Sequence, residues 1–250
     1  MVRPMAGPRT PLRKPREYFA SRPRPLDTRR ALAVVALVTL VVAAATGAIL
    51  VTFTQQLDQR VSVDNPDHAP DWMCENYEEG GPFDDMGAPA GCDPSVPEQL
   101  DERLGDLVWD EISWVPWAML VGVPLFWLFE GAMLHLGTSL VGGEGGFGET
   151  LTVAAWGMVP SAVRALALAG YLAYALPRID LPSTPDAAVA AMQSALSGFG
   201  LVSGAVVVVT VAWATYVRTY GLARARDLDV ESAAVVTVGL SLVGLLFELV

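Results

Sequence analysis

The 250-residue sequence predicts an all-α fold: a polytopic membrane bundle of five transmembrane helices, with an acidic, irregular extracytoplasmic loop. Three observations carry that expectation. Apolar residues make up 52% of the chain. Charged residues are 17% and carry a net charge of −11, yet they are gathered into blocks. A soluble domain would scatter such acids over its surface. Between the blocks lie runs too long and too apolar for a globular exterior.

The first run, Ala31 to Phe53, holds 23 residues without a charge. As a helix it spans about 35 Å, enough to cross a hydrocarbon core of about 30 Å. The remaining spans are expected at 112–136, 151–176, 199–217 and 232–247, the last being the shortest. Arg29-Arg30 before the first run resembles a twin-arginine signal, and Ala43-Ala44-Ala45 offers a cleavage site. Apolarity nevertheless continues to Phe53, too far for a usual signal segment, so the run is read as a retained helix.

Charge asymmetry orients the bundle. The tail, residues 1–30, carries nine bases against Glu17 and Asp27, whereas the 54–111 segment carries sixteen acids against Arg60 and Arg103. Arg218, Arg224 and Arg226 make the segment after the fourth span basic again. Lys and Arg are retained on the cytoplasmic side, so the tail is expected inside and the 54–111 loop outside a cell membrane.

That loop is rich in Asp, Pro and Gly and too poor in branched apolar residues to fold on a core of its own. It holds both cysteines, Cys74 and Cys92. On the oxidising side a disulfide would close their separation and stabilise by about 3 kcal/mol. A metal site drawing on His68, the cysteines and nearby aspartates is the competing reading, although no ligand spacing supports it. Leu100, Leu104, Leu107 and Val108 share a helical face, so 97–110 is expected to be an amphipathic helix on the membrane.

Between the second and third spans lies "GGEGGFGET", with glycines at 142, 143, 145, 146 and 148. Gly143, Gly145 and Gly148 match a dinucleotide fingerprint in spacing alone. The fingerprint requires a preceding strand and an acid some twenty residues on; here an apolar helix precedes, and Leu168 and Ala169 stand where the acid belongs. There is no Walker lysine, and Glu144 and Glu149 would repel phosphate. Gly142, Gly143, Gly145, Gly146 and Gly148 are read as a helix-hairpin loop, with Glu149 suited to the positive end of the next helix. No cofactor is expected.

The segment "HLGTSLVGGEGGFGETLTVAAWGMVPSAV", His135 to Val163, resembles the Yip-type (Ypt-interacting protein) membrane family, in its prokaryotic branch. The matching features are a histidine near a helix end, a Gly-Gly-x-Gly loop, Phe147 before the Thr150-led helix, and Trp156 with Pro160 a turn apart. The early "KPREYF", Lys14 to Phe19, is similar as well. Trp156 stands where a tyrosine is more usual, and the acidic loop with its two cysteines departs from the pattern. Eukaryotic relatives bind small GTPases and shape or sort membranes. The resemblance therefore implies a membrane scaffold more than a reaction.

Polar groups within the spans are few. Arg164 lies near mid-bilayer, where an arginine costs about 2.5–3.5 kcal/mol and ordinarily finds a partner inside the bundle. Glu130 is the expected partner, with His135 one turn nearer the cytoplasm. The group reads either as a relay or counter-ion, or as a buried pair fixing the second span against the third. Gly200 and Gly204 form a G-x-x-x-G for close helix packing, and Trp109, Trp114 and Trp117 form an aromatic belt.

These observations predict a non-enzymatic membrane scaffold or organising protein. Its expected partners are the bilayer, anionic lipid headgroups at the basic tail, and a protein partner or second copy; nucleic acid is not among them. The alternative is a small-solute or ion transporter using Glu130, Arg164 and His135. Five spans do not divide into two equal halves, which counts against common transporter repeats. An intramembrane hydrolase lacks its residues: no H-E-x-x-H and no membrane-depth aspartate are present.

Overall fold

The computed structural model describes residues 8–77, 81–83, 85–179 and 185–249. The chain divides into two compact units, Met1–Leu50 with Ser113–Val250, and Val51–Ile112. Each is built differently, and each is taken by itself.

The first unit is helical. Helix α1, Pro15–Ala20, opens on a proline, whose missing N–H costs nothing in a first turn. Helix α2, Thr28–Gln55, is capped by Asp27, whose Oδ1 accepts from the Arg29 and Arg30 amides at 3.1 and 3.4 Å. It continues through the charge-free run and into the second unit.

The second unit, predicted as an irregular loop, holds a paired ribbon and short helices among its described residues. Strands β1, Arg60–Asp64, and β2, Gln99–Arg103, pair antiparallel, with Arg60 opposite Arg103 and Asp64 opposite Gln99. Between them lie the short helix α3, Asp71–Cys74, and a disulfide joining Cys74 to Cys92. Asn65 closes the ribbon: its Nδ2 donates to Pro97 O at 2.7 Å, and its Oδ1 accepts from the Asp67 amide. The amphipathic helix expected at 97–110 is thus half strand, and α4 covers only Leu104–Ile112. Leu100 faces Val63 across the ladder, so pairing with β1 overrides the helical spacing of the leucines.

In the first unit, α5, Val115–Leu140, leads to α6, Phe147–Gly157, and α7, Val159–Ala175. The third predicted span is therefore two helices that meet at Met158, because Pro160 in the first turn of α7 has no N–H to continue the ladder. Helix α8, Pro185–Ala225, runs 41 residues and overshoots the predicted 199–217 at both ends. Nothing in Arg218 to Ala225 breaks a helix; it ends where Asp227 turns left-handed at φ 54° and the Leu228 amide reaches Ala223 O at 3.0 Å. Helix α9, Val230–Leu249, starts under an Asp229 cap: Ser232 donates its amide and its hydroxyl to the carboxylate, each at 2.8 Å.

Four stretches are long and apolar enough to cross a membrane: Thr28–Gln55, Leu104–Leu140, Phe147–Arg178 and Val202–Ala225. Val230–Leu246 is a shorter apolar helix, so the predicted five is four long spans and one short one. Large apolar side chains face outward, among them Leu40, Phe129, Trp117 and Leu242, as a lipid-facing exterior requires. Hydroxyls sit between α8 and α9, where Thr215 meets Ser241 and Thr219 meets Thr237, both at 2.7 Å. Such bonds hold membrane helices together where hydrophobic contrast cannot.

The predicted tail is part of this unit. Phe19 is 1% exposed, and Tyr18 packs edge-on against Trp156. The indole of Trp213 donates to Leu12 O at 2.8 Å. Gly221 makes the space: a Cβ there would stand 2.5 Å from Val153 Cγ1 and 3.1 Å from Phe19 Cζ. No described atom lies within 4 Å of a Cβ built on Gly200 or Gly204.

Candidate functional site

Two polar clusters stand out in the first unit. The first lies at the hairpin between α5 and α6. Gly142 and Gly145 take φ values of +84° and +112°, which side chains resist, and a Cβ on Gly145 would strike Ala225 O at 2.6 Å. The turn aims backbone carbonyls inward at Arg226, which is 2% exposed. Its guanidinium donates to Gly143 O at 2.9 Å, to Gly145 O, to Ser139 Oγ at 2.7 Å and to Thr138 Oγ1 at 3.1 Å. The Glu144 amide returns a bond to Arg226 O at 2.7 Å.

A phosphate loop converges N–H groups on an anion. This loop converges C=O groups on a cation of its own chain. Burial pulls Arg226 below its ordinary basicity, and the charge of Glu149 works against that. Arg24 joins from the N-terminal segment, donating to Ala225 O at 2.8 Å while pairing with Glu149 at 3.4 Å and Asp227 at 3.7 Å. His135, expected beside Glu130, turns to this hairpin: Nδ1 lies 3.2 Å from Thr150 Oγ1, and its ring meets Phe147 edge-on.

The second cluster lies within the spans. Glu130 on α5 pairs at 2.5 Å with Arg218 on α8, with the side chains 12% and 15% exposed. Gly157 lets them meet, because the Arg218 side chain lies across its Cα, where a Cβ would collide. Arg164 of α7 lines the same cavity, of about 520 Å³, with Glu130, Arg218, Ser161, Thr237 and Ser241. The structure therefore brings together Glu130 and Arg164, adds Arg218, and takes His135 elsewhere. Arg218, expected in the basic segment after the fourth span, lies inside α8. The signal that could have found it was the run "WATYVRTYGLARA", which holds no helix breaker before Asp227.

A polytopic α-helical membrane protein with an internally satisfied polar hairpin is the class that fold and site define. The Yip1 domain family model matches residues 10–249, nearly the whole chain, and the protein belongs to that family. No curated protein and no solved structure matches it.

Proposed function

We propose that the protein is a non-enzymatic membrane-organising protein that works through a basic face made by its N-terminal segment, on the cytoplasmic side of a cell membrane. The 54–111 segment lies outside. The orientation rests on the distribution of Lys and Arg.

One observation carries the reading: the N-terminal basic residues are displayed by a docked segment rather than a loose tail. With Phe19 buried and Arg24 tied to Ala225, the residues Arg13, Lys14, Arg16, Arg29 and Arg30 stand exposed around a fixed surface. Beside them Tyr18, Arg22, Asp27, Arg30 and Trp156 line a recess of about 230 Å³, in which Arg30 pairs with Asp27 at 3.2 Å. Arg22 stacks over the Tyr18 ring at 4.7 Å, and among the described residues its buried Nε has no hydrogen-bond acceptor. Guanidiniums beside aromatic rings suit an anionic lipid headgroup at a membrane surface. A protein partner or second copy would use the same face.

The test is reconstitution into phosphatidylcholine nanodiscs with and without phosphatidylglycerol, then native mass spectrometry of retained lipid. The wild type is expected to retain phosphatidylglycerol, and R22Q/R30Q to lose it. The same lipid complement on both proteins overturns the reading.

A further inference from the structure

We propose that β1 is a dimerisation edge: two copies of the chain join by antiparallel pairing of Arg60–Asp64 with itself, making a four-stranded sheet across a twofold axis. The edge belongs to the second unit, and the proposal does not depend on the N-terminal basic face.

The free edge follows from the alternation of hydrogen bonds. The Leu104 amide donates to Gln59 O at 2.8 Å, and the Asn65 amide to Glu98 O at 2.9 Å. Bonded and non-bonded positions alternate along an antiparallel ladder. Val61 and Val63 therefore turn their main-chain groups toward β2, while Arg60, Ser62 and Asp64 turn theirs away from it. These three residues are exposed, and among the described residues no third strand lies beside β1. Such an edge is a template for another strand, which natural proteins ordinarily blunt with lysine, proline or a bulge. β1 carries neither lysine nor proline.

The strand's own sequence then selects the partner. Arg60-Val61-Ser62-Val63-Asp64 is self-complementary when run against itself about Ser62. Arg60 faces Asp64 of the second copy, Val61 faces Val63, and Ser62 faces its equivalent. Each relation occurs in both directions, as a twofold contact requires. The three outward-turned residues fall on bonded positions of the new ladder and exchange about six main-chain hydrogen bonds. The valines fall on non-bonded positions, where side chains approach most closely. β2 offers no such match. Centred on Asp101, the corresponding pairing sets two acids against each other.

Charge points to the same strand. The 54–111 segment is strongly acidic, which opposes association, but β1 carries one base and one acid. Of the segment's two bases, Arg103 is engaged by Asp58 and Asp106. Arg60 forms no ion pair among the described residues and lies opposite Arg103 across the ribbon. Asp64 lies opposite the uncharged Gln99. Pairing of two copies gives both charges a complement. It also doubles a two-stranded ribbon, a structure that is marginal alone.

The experiment is crosslinking of the full chain in native membranes with a short bismaleimide, using Ser62→Cys. The native cysteines are paired and silent. Ser62→Cys chains are expected to crosslink as dimers, whereas Ser95→Cys chains, exposed but outside the ribbon, give few. Adding Arg60→Asp or Asp64→Arg to Ser62→Cys turns both complementary pairs into like-charge pairs and should lower the yield about tenfold. Coexpressing the two charge variants under different tags restores complementarity between unlike chains. R60D/D64R restores it between like chains, so both arrangements should crosslink as the Ser62→Cys parent does. Retention of the Cys74–Cys92 bond, read by mass spectrometry, reports that the second unit of each variant has formed. Absence of Ser62→Cys dimers, unchanged yield in either single charge variant, no recovery on coexpression or in the double swap, or equal crosslinking from Ser95→Cys each overturns the proposal.

Discussion

The guanidinium of Arg218 stands 2.5 Å from the carboxylate of Glu130, and the α8 arginine reaches the α5 acid only by lying across the bare backbone of Gly157. Three helices thus meet at one ion pair. Removing one partner leaves the other buried in apolar surroundings. Glu130→Ala or Arg218→Ala alone should destabilise by about 3–5 kcal/mol, while E130L/R218L should recover much of the loss. Thermal unfolding in detergent, run as a double-mutant cycle, decides it. Additive losses would show that the pair is not energetically coupled.

Gly145 and Arg226 give a second expectation. Lysine cannot reproduce four bonds directed at Thr138, Ser139, Gly143 and Gly145. Arg226→Lys should cost about 2–4 kcal/mol, one or two charge-assisted hydrogen bonds. Gly145→Ala should cost about 1–3 kcal/mol in backbone strain alone. If Arg226→Lys unfolds at the wild-type temperature, the carbonyl cradle contributes nothing to stability.

Phe19→Ala should release the N-terminal segment. The lost side chain corresponds to about 3–5 kcal/mol in a packed core, more than so short a segment can otherwise retain. Limited trypsinolysis would then cut after Arg16 in the variant and spare it in the wild type. Equal cutting rates would contradict the docking.

The Asp229 cap carries a pH signature. Its carboxyl is held below the usual range by the Ser232 amide and hydroxyl. A depressed pKa contributes stability above the unfolded value, lost as pH falls through the folded one. In acid the wild type should therefore lose stability that Asp229→Asn does not. Parallel pH profiles for both proteins between neutral and strongly acidic conditions would remove that role.

Cysteines introduced at Ser21 and Ser95, both exposed, report the orientation. The native cysteines are paired and give no background. A membrane-impermeant maleimide applied to intact cells should label Ser95→Cys and leave Ser21→Cys until lysis. The reverse pattern would invert the topology.

How much of this was legible follows from the range of each interaction. The Ala31 to Phe53 run announces a span because a single property, freedom from charge, decides it. The glycines at 142–148 announce a reversal for a similarly local reason. What they wrap was not legible, since Arg226 lies 83 residues beyond Gly143. The end of α8 lies beyond the expected span because an arginine can mark an exit from the membrane without stopping a helix. The β1–β2 ribbon was missed because its partners lie 35 or more residues apart, and Leu100, Leu104 and Leu107 fit a helix equally well. Docking of Phe19 depends on a gap over Gly221, a feature that spacing within either segment does not express.

Because Leu12 is held by Trp213 and Arg24 by Ala225, contacts some 201 residues apart, a segment made well before its partners is among the last to find its place. Until α6 and α8 are inserted, Tyr18 and Phe19 have no seat. The finished surface thus exists only on chains whose insertion is nearly complete, which makes the N-terminal segment an internal marker of assembly.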